Sequence, residues 1–195
     1  MTAAAATQKR DRRLWTADQF LEFAITRPDE ERWQLVDGLP MMMVPPSFTH
    51  QRIGRNLFAL LDRTLGVHRP DLLVFYETGV RIPGVEDFNP MPDLLVVRAE
   101  AQFERYADDF LLIAEIISPS NPAEMIERKL QLYRSHPENL YCLTVDQDAV
   151  HVALWAREEG WAQVDLRSLD DSLALPAFGF RTRLAAIYAG TPLAR

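Results

Sequence analysis

The chain has 195 residues, with 48% hydrophobic and 25% charged content and a formal net charge of −7. This suits one soluble domain with a proper core, and the acidic balance argues against a generic nucleic-acid binder, which needs a basic face to displace counterions from phosphate. No apolar run approaches the ~20 residues of a membrane span, residues 1–13 lack the apolar stretch of a secretory signal, and the single cysteine, Cys142, excludes an internal disulfide and fits a reducing cytoplasm.

In chain order, residues 1–13 read as a flexible tail and residues 14–195 as one domain. Thr16-Ala-Asp-Gln19 has the form of a capping box and predicts a short helix through about Ile25. Trp33–Val36, the turn pair Asp37-Gly38 and Leu39–Val44 predict a β-hairpin. Pro45-Pro46 ends it. Ser47 then caps a helix to about Gly66, with Ile53, Leu57, Leu60, Leu61 and Leu65 at helical spacing. Strands follow at Leu72–Tyr76, Val80–Ile82 and Leu94–Val97, the last opened by Pro92-Asp93. Phe110–Ile117 is almost continuously apolar, as a central strand covered on both faces requires. A helix is expected from Asn121 as N-cap, with Pro122 first and Glu124 third, to Ser135. Further strands are Leu140–Val145, Val150–Trp155 and Trp161–Leu166, with a last short helix at Leu184–Tyr188. Helix, mixed strands, helix and strand give an α/β or α+β architecture.

Only two lysines stand against nineteen arginines, and one of them is misplaced for a solvated charge. At about 100° per residue, Met125, Ile126, Leu130, Leu132 and Tyr133 share one arc of the helix, and Lys129 falls near its centre. A buried ammonium is costly unless it meets an anion. Asp93 opens an apolar strand, and Glu115 is embedded in Leu-Leu-Ile-Ala-Glu-Ile-Ile. A carboxylate inside a central strand is rare without a partner. Two carboxylates on neighbouring strands offer oxygen ligands to Mg²⁺, which lowers the pKa of bound water and stabilises charge on a phosphate. A nearby lysine orients that water or neutralises the transition state. Lys129 is seven residues past Pro122, about 10 Å along the helix. A short connection folds the helix back to the level of Glu115. The blander alternatives are a snorkelling lysine and a structural Glu–Lys pair.

Taken together and in order, several stretches resemble the bacterial family of Uma-two-type putative restriction endonucleases, within the PD-(D/E)XK nuclease superfamily. They are Trp33-Gln-Leu-Val-Asp-Gly38, Pro45-Pro-Ser47 with His50, Pro92-Asp-Leu-Leu-Val-Val97, Glu115-Ile-Ile-Ser-Pro-Ser120, Lys129 with Tyr133, and Leu140–Asp146. The resemblance implies a restriction-endonuclease-like core, a mixed sheet flanked by helices. It implies Asp93 and Glu115 as metal ligands for Mg²⁺ or Mn²⁺, with the backbone carbonyl of Ile116 completing the set, and Lys129 as catalytic lysine. The superfamily lysine stands two residues after the acid. Here that position is Ile117, and the resemblance implies that the lysine has migrated to the next helix. DNA is the implied substrate, and a homodimer the implied assembly.

The sequence departs from the family pattern at Gln34, where Glu is usual, at Leu39, where an acid is common, and at Met125, where Asp is common. These changes keep open a catalytically degenerate protein that binds or regulates. Gln34, His50 and Glu77 are candidate supporting residues behind the ligands. Capping or surface exposure competes for His50, and a solvated turn for Glu77. Arg52, Arg55 and Arg63 share one helix and either face DNA or solvate its outer side. Trp33, Trp155 and Met41–Met43 read as packing, and Cys142 as a core thiol.

Overall fold

The computed structural model describes residues 14–28, 30–101, 105–119 and 121–194. The expected N-terminal tail lies outside them. Helix α1 (Ala17–Ala24) carries both halves of the Thr16/Gln19 capping box. Its Phe23 ring lies edge-on between Trp15 and Trp33, at centroid distances of 5.3 and 5.0 Å, and docks the helix on the hairpin that follows. That hairpin is β1 (Trp33–Val36) and β2 (Leu39–Met42), in register Val36↔Leu39. Its two turn residues both take positive φ, +48° at Asp37 and +71° at Gly38, which matches the twist of the flanking strands.

Helix α2 (Phe48–His68) starts where the Ser47 hydroxyl accepts the His50 N–H. It lays Ile53, Leu57, Leu61 and Leu65 against the sheet. Each such fully buried side chain contributes about 1.5–3 kcal/mol relative to exposure. Strand β3 (Leu72–Tyr76) passes beneath this helix. Gly54 is what lets Tyr76 lie there, since a Cβ at Gly54 would come within 2.6 Å of the Tyr76 hydroxyl.

The remaining strands are β4 (Gly79–Val80), β5 (Leu94–Arg98), β6 (Tyr106–Ala107), β7 (Leu112–Ile117), β8 (Tyr141–Asp146), β9 (Val152–Ala156), β10 (Gln163–Leu166), β11 (Ser172–Leu175) and β12 (Phe180–Arg183). Six form the central mixed sheet, in the order β10-β9-β8-β7-β5-β3. Only β7 and β8 run parallel, joined by helix α3 (Ala123–Ser135), and the other neighbours are antiparallel. Helix α2 covers one face of the sheet and α3 the other. The hairpin β11–β12 and the short helix α4 (Leu184–Ile187) extend the α2 side through Leu173, Leu175, Phe180, Leu184 and Ile187.

Three local expectations need correction. The N-cap of α3 is Pro122 rather than Asn121, because the Asn121 carboxamide oxygen is already taken by the Ser118 N–H at 2.7 Å. The strand expected at Val80–Ile82 shortens to Gly79–Val80 and pairs in parallel with Tyr106–Ala107. Strands β11 and β12 were not anticipated. Phe180-Arg-Thr-Arg183 hides its alternation among arginines, and its partner is reached through a tight turn at Gly179, φ +64°.

Candidate functional site

The site forms where β5 ends beside β7. Their antiparallel register runs Leu94↔Ala114, so the next step places Asp93 opposite Glu115. Asp93 sits just outside the strand, and its side chain takes over a ladder-like role. Oδ2 accepts the Ile116 backbone N–H at 2.6 Å. Oδ1 meets His50 Nε2 at 3.0 Å. His50 comes from the first turn of α2, one turn before Gly54 on the same side of the helix. The surface or capping role that competes for His50 is therefore corrected: its side chain is only 12% exposed and is spent on Asp93.

Glu115 is met by α3. Its Oε1 accepts two hydrogen bonds, from Lys129 Nζ at 3.1 Å and from the Tyr133 hydroxyl at 2.7 Å. Lys129 and Tyr133 are one helical turn apart and so present both donors to the same oxygen. Lys129 is 3% exposed. It does not snorkel. The apolar arc read from the sequence is the buried face of α3, with Leu130, Leu132 and Tyr133 beside the lysine. Glu115 Oε2 takes no hydrogen bond from the described residues, and each oxygen of Asp93 keeps a second lone pair.

Burial pushes the Glu115 carboxyl above the ordinary carboxylate range, and the negative charge of Asp93 adds to this against the opposing pull of Lys129 and Tyr133. Burial works against a charged His50. The hydrogen bond and charge of Asp93, helped by Glu77 and Glu115, outweigh it and raise the imidazole pKa. Burial, with Glu115 next, drives the Tyr133 hydroxyl far up, so it remains a donor.

The other candidates are more distant. Glu77 adopts φ +46°, gives its backbone N–H to the Asp93 carbonyl at 3.0 Å, and pairs its side chain loosely with Arg32 at 3.9 Å. Its charge is felt at His50, but it bonds neither buried carboxylate. Gln34 is buried at 7% exposure with an unpartnered Oε1, and it bonds none of Asp93, Glu115 and Lys129. Ile116 bears on the site through its N–H, which Asp93 Oδ2 accepts. The sequence reading missed Tyr133 as a site residue, although its place four residues after Lys129 on the apolar arc was the available signal. Cys142 is a core thiol, as expected, and burial pushes it up to about 12.

The donor set suits a hard divalent cation. It offers carboxylate oxygens with free lone pairs and neither sulfur nor a closed cage, which is how Mg²⁺ binds when it keeps several waters. Among the described residues, no group of three His, Cys, Asp or Glu side chains converges, so water and substrate oxygens would have to fill the remaining positions.

Comparison with known proteins bears on the family and the fold. A family model described as "Uma2: Putative restriction endonuclease" matches residues 17–186. No curated protein matches. Among solved structures, a "putative nuclease belonging to DUF820" from Anabaena variabilis ATCC 29413 superimposes with a TM-score of 0.73 at 14% identity, over 89% of this chain and 97% of its own. At that identity the likeness speaks for the fold.

Proposed function

The chain belongs to the Uma2 family, and from that premise we propose that it is a divalent-metal-dependent endonuclease that hydrolyses phosphodiester bonds in DNA. The observation that carries the reading is the buried pairing of Glu115 with Lys129 beside Asp93, since three ionisable groups at 6%, 3% and 6% exposure are costly to keep inside without a task.

Asp93 and Glu115 would hold Mg²⁺ or Mn²⁺ with the Ile116 carbonyl. The bound ion supplies Lewis acidity and a more acidic water at neutral pH. The protein's own groups do the rest. His50 and the Ile116 N–H fix both oxygens of Asp93. Tyr133 fixes Glu115 and leaves the rotatable donors of Lys129 to orient the attacking water and offset charge growing on the phosphate. Attack in line with the leaving oxygen then breaks the strand. A two-fold dimer would bring one such site to each strand of a duplex.

The test is a calorimetric titration of the protein with Mn²⁺, alongside Asp93→Asn and Glu115→Gln, followed by incubation with single-stranded DNA, duplex DNA and RNA oligonucleotides. The expected result is binding lost in both folded variants and DNA cleavage by the wild type alone. Binding unchanged in both variants overturns the ligand assignment. Gln34 and the absence of a third converging ligand among the described residues favour one rival, a nuclease-fold protein that binds DNA without cutting it. That rival shows itself as DNA binding with no cleavage at any Mn²⁺ concentration.

A further inference from the structure

Resting on the nuclease reading, we propose that the outer side of the first turns of α2 is a docking platform for an unstacked stretch of nucleic acid. Phe48 stacks on a base, and Arg52 and Arg55 hold the neighbouring phosphates.

Phe48 is 96% exposed, the most exposed large apolar side chain among the described residues, and Val44 and Met42 just before it are 76% and 60% exposed. A bare phenyl ring is unfavourable in water unless something covers it. This ring is not on a loose loop. It is the first residue of a long helix, and the preceding Ser47 is pinned twice: its hydroxyl accepts the His50 N–H at 3.1 Å and donates to Gln147 Oε1 at 2.8 Å. The platform is therefore set before any partner arrives.

Positions 48, 52 and 55 lie on one side of a helix. With Gln51, they line an open depression of about 460 Å³ whose lining contains no acid. Neither arginine has an ion-pair partner among the described residues, in contrast to Arg69, Arg98, Arg128 and Arg134. Arg52 passes beside Gly190, where a Cβ would lie 3.6 Å from Nε, an ordinary van der Waals contact. Two free, forked cations flanking an exposed ring match a phosphate–base–phosphate run.

The position is right for a strand leaving the catalytic groups. Phe48 and His50 project from nearly opposite sides of the same turn, and His50 bonds Asp93. The two are thus separated by about one helix diameter, ~10–12 Å. That is a distance a strand covers within a few nucleotides. A second copy of the chain fits less well: a two-fold contact centred here would bring Arg52 and Arg55 close to their own counterparts. The inner bases of an intact duplex have both faces covered, so the ring requires a single-stranded segment, an end or a kink.

The test measures binding of a fluorescent single-stranded oligonucleotide containing 2-aminopurine, in EDTA so that cleavage does not intervene. Phe48→Ala is expected to weaken binding by about tenfold and to change the 2-aminopurine emission of the complex, whereas Phe48→Trp retains affinity. Arg52→Gln with Arg55→Gln is expected to flatten the slope of log K against log salt by about 1.4. A side chain this exposed is not needed for folding, which circular dichroism checks. Affinity, emission and salt slope all indifferent to these changes would overturn the inference, as would wild-type protein that binds no oligonucleotide in low salt. A concentration-dependent dimer in sedimentation, lost in Phe48→Ala while DNA affinity is unchanged, would assign the face to a second copy instead. Failure of the nuclease reading looks different: binding in EDTA still depends on Phe48, but Mn²⁺ brings no cleavage.

Discussion

The two faces of the central sheet are cut from the same strands and yet enclose different interiors. Toward α2, the alternating residues Leu112, Ala114, Ile116, Leu143 and Val145 meet Ile53, Leu57, Leu61 and Leu65 in an apolar layer. Toward α3, the intervening residues Ile113 and Cys142 belong to an apolar cluster with Leu130 and Tyr133, but Glu115 and Lys129 are set among them. Helix α2 reaches the site only with its first turn, through His50. Helix α3 reaches it with its middle. One face can be read as stability alone. The other carries polar groups that a stable fold does not require, because a buried ion pair is seldom worth more than apolar side chains of equal volume.

The sharpest way to break this contrast is to strip the charge from the α3 face. Lys129→Met is expected to destabilise the protein by about 3–5 kcal/mol in urea unfolding near neutral pH, because Glu115 is left buried without its cation. The pH dependence has a definite sign. The Glu115 carboxyl already lies above its ordinary range because of burial, and loss of Lys129 raises it further. The folded variant then holds a proton that the unfolded chain releases, so its stability falls as pH rises past the ordinary carboxylate value. The double variant Lys129→Met with Glu115→Gln should recover most of the loss while binding no Mn²⁺. A double variant as unstable as the single one would show that Lys129 supports the fold by packing alone.

On the α2 face the corresponding change is Leu57→Ala, expected to cost about 2–5 kcal/mol through the cavity it opens. Mn²⁺ affinity should stay within about twofold of wild type, since no bond to Asp93 or Glu115 changes; a larger loss would join the two faces into one functional unit. Gly54→Ala is a smaller perturbation at their junction. Its methyl meets the Tyr76 hydroxyl at 2.6 Å and Cε2 at 2.8 Å. The gain in helix propensity of up to about 1 kcal/mol is set against overpacking of about 1–3 kcal/mol. We expect a net loss by thermal unfolding, and Gly54→Ala with Tyr76→Phe should relieve part of it.

The smallest effect concerns Cys142, on the α3 side. Burial pushes its thiol up to about 12. In the unfolded chain it ionises near pH 8.5. Between those values the unfolded state sheds a proton that the native state keeps, so this group lowers stability as pH rises. Cys142→Ala should therefore show a shallower decline in urea midpoint above about pH 9, and the native thiol should stay inert to a disulfide reagent at pH 8.

Much of the architecture was legible because the signals are local. Asp37-Gly38 between two apolar runs predicts its hairpin, and Ser47 its helix start. The apolar stripe of α2 and the almost continuous apolar run into Ile117 are each legible within one segment. Lys129 stood out for the same reason, since a charge at the centre of an apolar arc contradicts its surroundings wherever the helix packs. Lines such as Phe180-Arg-Thr-Arg183 were not legible. Their strand character comes from a partner and from the core they cover, neither of which a short alternation with arginines announces.

The sequence by itself determined which groups could be costly inside this protein: a carboxylate in a central strand, an acid at a strand start and a lysine on an apolar face. Tertiary structure alone decided how they are matched. It gave His50 to Asp93 rather than to solvent, aimed Tyr133 and Lys129 at one oxygen of Glu115, and left Gln34 and Glu77 without a bond to either buried carboxylate. The reason is physical. Periodicity fixes the face on which a side chain lies, whereas a hydrogen bond depends on a few tenths of an ångström between elements far apart in the chain, and those separations exist only once the sheet has paired and its two helices have docked.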